Sequence, residues 1–388
     1  GQLLLLKIAI VRLPAFKKIN IPIMTEVSYS NVNDNTPVLV GCAQHLDKNG
    51  IDGLNFLEIL EVVGKKAIAD CEAGKSLAEE LDNITVIRFV ADTPNRDSAT
   101  TSMWGYPNMP KSLANSLGSS ANNLIYTTTG GNSPQLALNE VAKRIQSGDI
   151  DCSLIAGGEA LDTFVKRIKL GISTDWSDDP GGEPEIIGSD QDGANDHEKL
   201  YGLFDPSSVY PLFANALRAK DGTSAARHML EVGELFSEFS KVASDNEHAW
   251  FPIHRTAEEI AEVKPENRFI GFPYTKYMNS IMRVNQSSAL VMVSAKKARE
   301  MGIPESKWVF MHAGACLNEI FHMSDRVDYH SSPAIKSCTD AVFDLSGTAQ
   351  EEMDFLDIYS CFPSAVQIAI NELGIKPSDP RGLTLTGG

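Results

Sequence analysis

The sequence is short of basic residues. It has 34 Lys and Arg against 51 Asp and Glu, which gives a formal net charge of −17 at pH 7. Nucleic acids and anionic membranes are bound through basic surfaces, so this deficit argues against both as general partners. A local basic pocket for one phosphorylated ligand remains compatible with the composition.

Cysteine is scarce and scattered. The six cysteines form no CxxC pair, and none lies near a histidine at the spacing of metal ligands. This pattern excludes a disulfide framework and predicts no metal site. It is typical of a protein from a reducing compartment, so we expect a cytoplasmic location.

Long uninterrupted hydrophobic runs are also missing. The apolar stretch at the N-terminus is broken by Lys7, Arg12 and Pro14, so we expect no membrane span. No small-residue cleavage site of a signal peptide clearly follows it. Met24 precedes a polar segment, and we interpret it as the native start within an irregular extension of residues 1–35.

The remaining chain alternates between strands and helices. Apolar runs predict buried strands, and stripes of apolar residues at helical spacing predict the helices. The strands are expected at 37–44, 84–90, 122–129 and 152–160, and helices at 54–72, 110–118 and 134–145. This alternation indicates an α/β fold with a mainly parallel sheet.

The alternation stops at residues 163–283. That stretch begins with an acidic, Gly- and Pro-rich loop and continues with helices at about 210–220 and 224–246. Strand and helix patterns resume at 287–302, 307–317 and 352–375. The sequence therefore predicts one α/β half, a mixed insertion and a second α/β half.

One junction has the form of a catalytic site. The stretch TTTGGNSPQLA, residues 127–137, leads from a strand into a helix for which Ser133 is the expected N-cap and Pro134 the first residue. Helix N-termini stabilise anions, and many enzymes place a nucleophile there. Here the junction carries Gly130, Gly131 and Asn132, and no thiol.

Three segments together resemble the thiolase superfamily. They are GGNSPQLALNEVAKRIQSGDIDCSLIAGGEA, VNQSSALVMVSAKKAREMGI and DIYSCFPSAVQIA. The similarity is greatest to the branch related to sterol-carrier-protein-type thiolases, whose members are often labelled acetyl-CoA acetyltransferase. The resemblance implies a layered αβαβα fold built from two similar halves. Its expected parts are an N-terminal half at 36–162, a loop-domain insertion at 163–283 and a C-terminal half at 284–388 that is truncated.

The resemblance also assigns candidate site residues. The family's nucleophilic Cys falls on Gly131, its active-site His falls on Tyr359, and the Cys that follows that His is kept as Cys361. Tyr359 and Cys361 are the implied catalytic candidates. Further catalytic stretches of the family would lie beyond the end of this chain. The implied substrate-binding residues are Gly131, Asn132, Ser133, Gly387 and Gly388.

Each candidate also has a structural interpretation. Ser133 is more simply a helix cap than a substitute nucleophile, and Cys361 is more simply a buried, inert thiol. Tyr359 could be an acid or base, as in thiolase-like aldolases, or a tyrosine packed into a vestigial pocket. Six basic residues are candidates for pairing with the phosphates of coenzyme A: Lys166, Arg167, Lys169, Arg218, Lys220 and Arg227.

Several functions therefore remain open at this point. The resemblance implies an acyl-CoA-handling protein of lipid metabolism, with a CoA thioester as substrate or ligand and no other cofactor. It could be an acetyl-CoA acetyltransferase-like acyltransferase, a tyrosine-assisted aldolase, or a non-catalytic acyl-CoA-binding partner subunit. A homodimer is the implied assembly, and a hetero-oligomer with a small partner subunit is the alternative.

Overall fold

The computed structural model describes residues 29–93, 105–189 and 191–387. They form two compact units. The sheet unit contains the described residues of 29–189 together with 283–311. The helical unit contains 191–282 and 312–387. The predicted start at Met24 and nearly all of the N-terminal extension lie outside the described residues, as does Gly388.

The secondary structure follows the predicted alternation in the first half of the chain. The strands are β1 (Pro37–Leu46), β2 (Asn83–Ile87), β3 (Asn123–Thr127), β4 (Cys152–Ala160), β5 (Glu185–Ile187), β6 (Phe269–Gly271), β7 (Tyr274–Thr275), β8 (Asn285–Ser294) and β9 (Val309–Phe310). The helices are α1 (Phe56–Asp70), α2 (Met109–Leu117), α3 (Ser133–Ser147), α4 (Leu161–Lys169), α5 (Asp196–Leu200), α6 (Pro206–Lys220), α7 (Ala225–Ser244), α8 (Ala257–Ala261), α9 (Ala295–Glu300), α10 (Pro333–Ser346) and α11 (Pro363–Leu373).

A seven-stranded sheet organises the sheet unit, with strand order β5-β3-β2-β4-β8-β1-β9. The four strands from β5 to β4 are parallel, whereas β8 runs antiparallel to both β4 and β1, and β9 is antiparallel to β1. The α/β class is confirmed, but the sheet is mixed rather than mainly parallel. The long chain between β4 and β8 allows β8 to enter in the opposite direction, because no short right-handed crossover links the two strands.

Alternating side chains divide the core of the sheet unit into two layers. On β8, Ala289, Val291 and Val293 belong to the cluster that includes α1 and α2, whereas Leu290 and Met292 pack with α3. Successive side chains of a strand point to opposite faces, so this alternation places helices on both sides of the sheet. The loop between β3 and α3, which contains Gly131, therefore lies at an end of the sheet.

Helices dominate the helical unit. Helices α6, α7, α8, α10 and α11 contribute to one apolar core, and β6 and β7 form a two-stranded antiparallel sheet. The predicted helices at 210–220 and 224–246 are confirmed as α6 and α7. The helix predicted in 352–375 is confirmed as α11.

Two of the strands expected in the later part of the chain do not form at their expected lengths. In 307–317 only β9 forms, and 354–360 contains no strand. A strand needs a partner that continues its hydrogen bonding. Among the described residues, the second segment has one backbone bond to a neighbouring segment, from Ile358 N–H to the carbonyl oxygen of Leu383 at 2.9 Å.

All six cysteines are free thiols. Within the described residues, no helix is long and apolar enough to cross a bilayer. The same residues contain no cluster of three His, Cys, Asp or Glu side chains placed to hold a metal ion.

Candidate functional site

Helix α3 begins one residue earlier than the sequence predicts. Asn132 is the N-cap and Ser133 is the first helical residue, so the expectation that Ser133 caps the helix is wrong. The Ser133 hydroxyl instead donates a 2.6 Å hydrogen bond to the carbonyl oxygen of Thr128, and the side chain is 1% exposed. A buried hydroxyl committed to a backbone carbonyl closes the turn, and among the described residues no basic side chain is hydrogen-bonded to it to make it a nucleophile.

The two residues before Ser133 leave a site with little side-chain chemistry. Gly131 is exposed and offers only its backbone. The side-chain oxygen of Asn132 is buried and accepts no hydrogen bond from the described residues. Since a buried acceptor without a donor is unfavourable, Asn132 is the group at this junction that has unused capacity to bind a donor.

A polar network holds the end of β3 in place. The Arg88 side chain donates to the carbonyl oxygen of Thr127 at 3.0 Å and pairs with Asp92 at 3.0 Å. Asp92 also accepts from the Tyr126 hydroxyl at 2.7 Å, and the Thr129 hydroxyl lies 2.7 Å from that of Thr93. These contacts fix the backbone from which the junction starts.

Glu159 lies at the end of β4, immediately after Gly157 and Gly158. One carboxyl oxygen accepts a 2.7 Å hydrogen bond from the Val90 N–H, and the other is buried without a partner among the described residues. Burial raises the pKa of Glu159 to about 7, although the hydrogen bond from Val90 opposes the change. The carboxyl group therefore keeps its proton at pH values well above those at which an exposed glutamate ionises.

Tyr359 and Cys361 are brought together in the helical unit, just before α11. Burial is the main cause that raises the pKa of Cys361 to about 11, against hydrogen bonds from Tyr210 and Tyr359 that lower it. Burial and the neighbouring Cys361 also raise the pKa of Tyr359. Both groups are thus protonated at neutral pH, so the pair can donate protons but is a poor source of thiolate.

Aromatic side chains lie beside Cys361 and the start of α11. The Cys361 thiol lies 3.2 Å from the Tyr210 hydroxyl oxygen, and the Tyr210 ring stacks on Phe362 with centroids 4.1 Å apart. The hydroxyl of Tyr274 accepts a 3.0 Å hydrogen bond from the N–H of Ser364 in the first turn of α11. These contacts hold the pair at the N-terminal end of the helix.

Gly387 lies on a segment that runs beside residues 357–358. Its N–H donates to the Thr384 hydroxyl at 3.0 Å, and the Leu385 N–H donates to Asp357 at 3.1 Å. The backbone of Gly387 has φ +95°, and a Cβ here would lie 2.3 Å from the backbone of Ala243. Glycine is therefore required by the backbone, and a substrate-binding role for Gly387 stays a prediction.

Several of the basic residues considered for phosphate binding have partners within the protein. Lys166 pairs with Asp162 at 2.7 Å, and Arg227 pairs with Glu231 at 2.8 Å. Arg167 and Arg218 donate to backbone carbonyl groups. A phosphate would have to compete with these contacts.

The sequence does not mark two groups near the candidate site residues, Tyr210 and Arg326. Tyr210 lies 151 positions before Cys361 in the chain, so no local pattern could connect them. Glu159 belongs to a segment that carries the family resemblance, but the sequence assigns it no role. Arg326, in the same unit as Tyr359 and Cys361, has no sequence motif that marks it.

Comparison with solved structures finds close similarity to a thiolase-like protein. The monomeric SCP2-thiolase-like protein type 1 of Mycobacterium smegmatis is 30% identical, with a TM-score of 0.75 over 92% of this chain and 67% of that one. The dimeric peroxisomal thiolase of Saccharomyces cerevisiae is 15% identical, with a TM-score of 0.61 over 92% of this chain and 86% of that one.

An aldolase assembly shares the fold as well. The Ltp2–ChsH2(DUF35) aldolase is 17% identical, with a TM-score of 0.63 over 89% of this chain and 78% of that one. No family sequence model matches the chain. The mixed sheet and the similarity in sequence to the mycobacterial protein together show that the chain belongs to the thiolase superfamily, among the SCP2-thiolase-like proteins.

Proposed function

We propose that this protein acts on acyl-CoA thioesters without forming a covalent acyl-enzyme, and that Tyr359 is the proton donor. The observation that carries the proposal is the state of position 131 and of the two candidate nucleophiles, Ser133 and Cys361. Position 131 is glycine, the Ser133 hydroxyl is bound to Thr128, and burial raises the pKa of Cys361 to about 11. Glycine has no nucleophilic side chain, and neither the Ser133 hydroxyl nor the Cys361 thiol is an activated nucleophile.

Conventional acetyl transfer through a thioester intermediate is therefore the weaker alternative. It requires a thiolate that attacks the acyl carbon and leaves again. At pH 7.5 a thiol with a pKa near 11 is ionised to roughly one part in three thousand, so Cys361 supplies very little of that species.

Tyrosine-assisted carbon–carbon cleavage fits the protonated pair better. In a 3-hydroxyacyl-CoA, the bond between the α and β carbons breaks and its electron pair stays on the α carbon, delocalised into the thioester as an enolate. In one concerted proton relay, the Tyr359 phenol gives its proton to the α carbon as the bond breaks and takes the β-hydroxyl proton as the new carbonyl group forms. The relay leaves the tyrosine protonated and releases an aldehyde and a shortened acyl-CoA.

The surrounding residues support this role for Tyr359. Cys361 raises the pKa of the Tyr359 phenol and lies 3.2 Å from the Tyr210 hydroxyl, so Tyr359 belongs to a group of interacting polar side chains. The similarity of fold to an aldolase points in the same direction, as fold-level analogy only.

The test is cleavage of a series of 3-hydroxyacyl-CoA thioesters of increasing chain length, with the released aldehyde trapped and quantified. We expect Tyr359→Phe to lower the rate by about 10²- to 10⁴-fold, as for loss of a general acid. Tyr329→Phe is the matched control, because that hydroxyl donates to the Met323 carbonyl oxygen in the same unit. Equal rates for Tyr359→Phe and the wild type would contradict the assignment.

Intact mass after incubation with acetyl-CoA separates the alternatives. We expect no added acetyl group. A stable adduct mapped to Cys361 or Ser133 would favour an acyltransferase. Thioester binding without cleavage of any member of the series would favour a non-catalytic acyl-CoA-binding subunit.

The architecture and assembly that the family resemblance implies are part of the same proposal. They are two similar halves in αβαβα layers, a homodimer or a complex with a small partner subunit, and a cytoplasmic role in lipid metabolism. Sedimentation of the purified protein, with and without acyl-CoA, tests the assembly.

A further inference from the structure

A half-buried arginine in the helical unit has guanidinium nitrogens without hydrogen-bond acceptors among the described residues. Arg326 follows a short 3-10 helix at Met323–Asp325. Its Nε and Nη2 atoms are closed off from solvent and have no hydrogen-bond acceptor among the described residues. A buried charge without a partner is costly, so such a group is rare unless a ligand completes it.

Neighbouring acids do not supply the missing acceptor. Glu319 accepts from the Ser332 hydroxyl at 2.6 Å and from the Ile320 N–H at 3.1 Å. Asp328 accepts from the N–H and hydroxyl groups of Ser331 at 3.0 and 2.8 Å. Both carboxylates influence Arg326 through space, but their oxygens are bound to other donors.

The two unpaired nitrogens suggest the kind of ligand. The N–H bonds of Nε and Nη2 lie parallel on one edge of a planar guanidinium group. That edge matches the two oxygens of a single carboxylate in a bidentate pair. The edge has the width of a carboxylate, whose single negative charge matches the single positive charge of the guanidinium group.

The surroundings connect Arg326 with the proposed site. Its guanidinium carbon lies 5.4 Å from the ring centroid of Phe213, and the rings of Phe213 and Tyr210 lie 5.9 Å apart. Tyr210 in turn contacts the thiol of Cys361 at 3.2 Å. Phe213 and Tyr210 are buried in the same apolar core, so a hydrocarbon chain that joined the two groups would pack against these rings.

We propose that Arg326 binds a carboxylate at the far end of the acyl chain, so that the substrate is a CoA thioester of a dicarboxylic acid. The inference rests on the proposed function and adds a substrate class to it. Binding requires the side chain to turn or the loop to open, because the two nitrogens are enclosed in this structure. Arg326 and the exposed Val327 lie in the connection between the short 3-10 helix and α10, so opening there need not unwind an α-helix.

Isothermal titration with paired thioesters tests the proposal. Succinyl-CoA and glutaryl-CoA carry the terminal carboxylate, whereas butyryl-CoA and valeryl-CoA lack it. We expect the wild type to prefer the diacid thioesters by about tenfold or more, from the usual strength of a charge-assisted hydrogen bond. Arg326→Gln should remove that preference, and Arg268→Gln, at an exposed arginine of the same unit, should keep it.

Several outcomes would overturn the inference. One is equal binding of diacid and monoacid thioesters by the wild type, and another is a preference that survives in Arg326→Gln. If no thioester binds, the proposed function fails, and titration with free glutarate then decides the carboxylate site alone. Binding of glutarate that is lost in Arg326→Gln supports the site, and no binding of glutarate refutes it.

Thermal unfolding separates a ligand site from an internal ion pair. If Arg326 is unpaired without ligand, Arg326→Gln should unfold at the same or a higher temperature than the wild type. A clear loss of stability, with no change in ligand preference, would show that another part of the chain neutralises the arginine and would overturn the proposal.

Discussion

The carboxyl group of Glu159 makes the stability of the protein depend on pH. Its pKa is about 7 in the folded protein against an ordinary value of 4.5, because the side chain is buried at the end of β4. Below pH 4.5 the group is protonated in both the folded and the unfolded chain, and it imposes no cost. As the pH rises towards 7, the unfolded chain loses this proton and the folded protein retains it, so the free energy of unfolding falls.

The size of the effect follows from the two pKa values. A tenfold change in proton affinity is worth about 1.4 kcal/mol, so the full cost above pH 7 is roughly 3 kcal/mol. Glu159→Gln keeps an oxygen that can accept from Val90 and has no charge to bury. We therefore expect this variant to exceed the wild type in stability by less than about 1 kcal/mol at pH 5 and by roughly 3 kcal/mol at pH 8.

Urea unfolding at several pH values between 5 and 8 measures this difference directly. Glu79→Gln is the control, because Glu79 is exposed and a difference there should not change with pH. A stability difference between Glu159→Gln and the wild type that stays constant across this range would refute the reasoning. It would mean that the carboxyl group ionises in the folded protein as it does in water.

Three further substitutions or reactions have expected outcomes. Gly41→Ala should lower the free energy of unfolding by about 1–3 kcal/mol in urea, since the new Cβ would lie 2.4 Å from atoms at the end of α1. Gly74→Ala is the control and should not lower it, because the nearest atom there is 3.5 Å away. Asn285→Ala should cost roughly 3–5 kcal/mol on the same assay, because this buried amide makes four hydrogen bonds. Iodoacetamide at pH 7.5 should modify exposed Cys316 and spare Cys361 until urea unfolds the protein, as peptide mapping would show; prompt labelling of the native Cys361 would contradict its raised pKa.

The sheet unit shows which parts of the fold a sequence can predict. Strands β1 to β4 and helices α1 to α3 follow from apolar spacing, because each buries one face or one stripe against a neighbour. The place of β8 between β4 and β1 does not follow, since β8 is fixed by pairing with strands more than a hundred residues away. Local patterns carry no information about such a partner, and the expectation of a mainly parallel sheet was wrong for that reason.

The candidate site likewise has parts that the sequence predicts and parts that it does not. The strand-to-helix junction around residue 131 and the segment of Tyr359 are visible in the sequence because short motifs mark them. The start of α3 at Ser133 is not, because either Asn132 or Ser133 is an acceptable cap and the hydrogen bond to Thr128 decides between them. The raised pKa values of Glu159 and Cys361 depend on burial, which is a property of the assembled core.

The position of β8 has a consequence for the newly made chain on the ribosome. Strand β4 ends at residue 160 and β8 begins at residue 285, so about 125 residues must be synthesised before β4 and β1 acquire the strand that lies between them. At the usual 5–20 residues per second this interval lasts roughly 6–25 seconds. During it, the facing edges of both strands have unpaired N–H and C=O groups beside apolar side chains, which can pair with another chain. Nascent protein at this stage is therefore the form most exposed to aggregation and most dependent on chaperones.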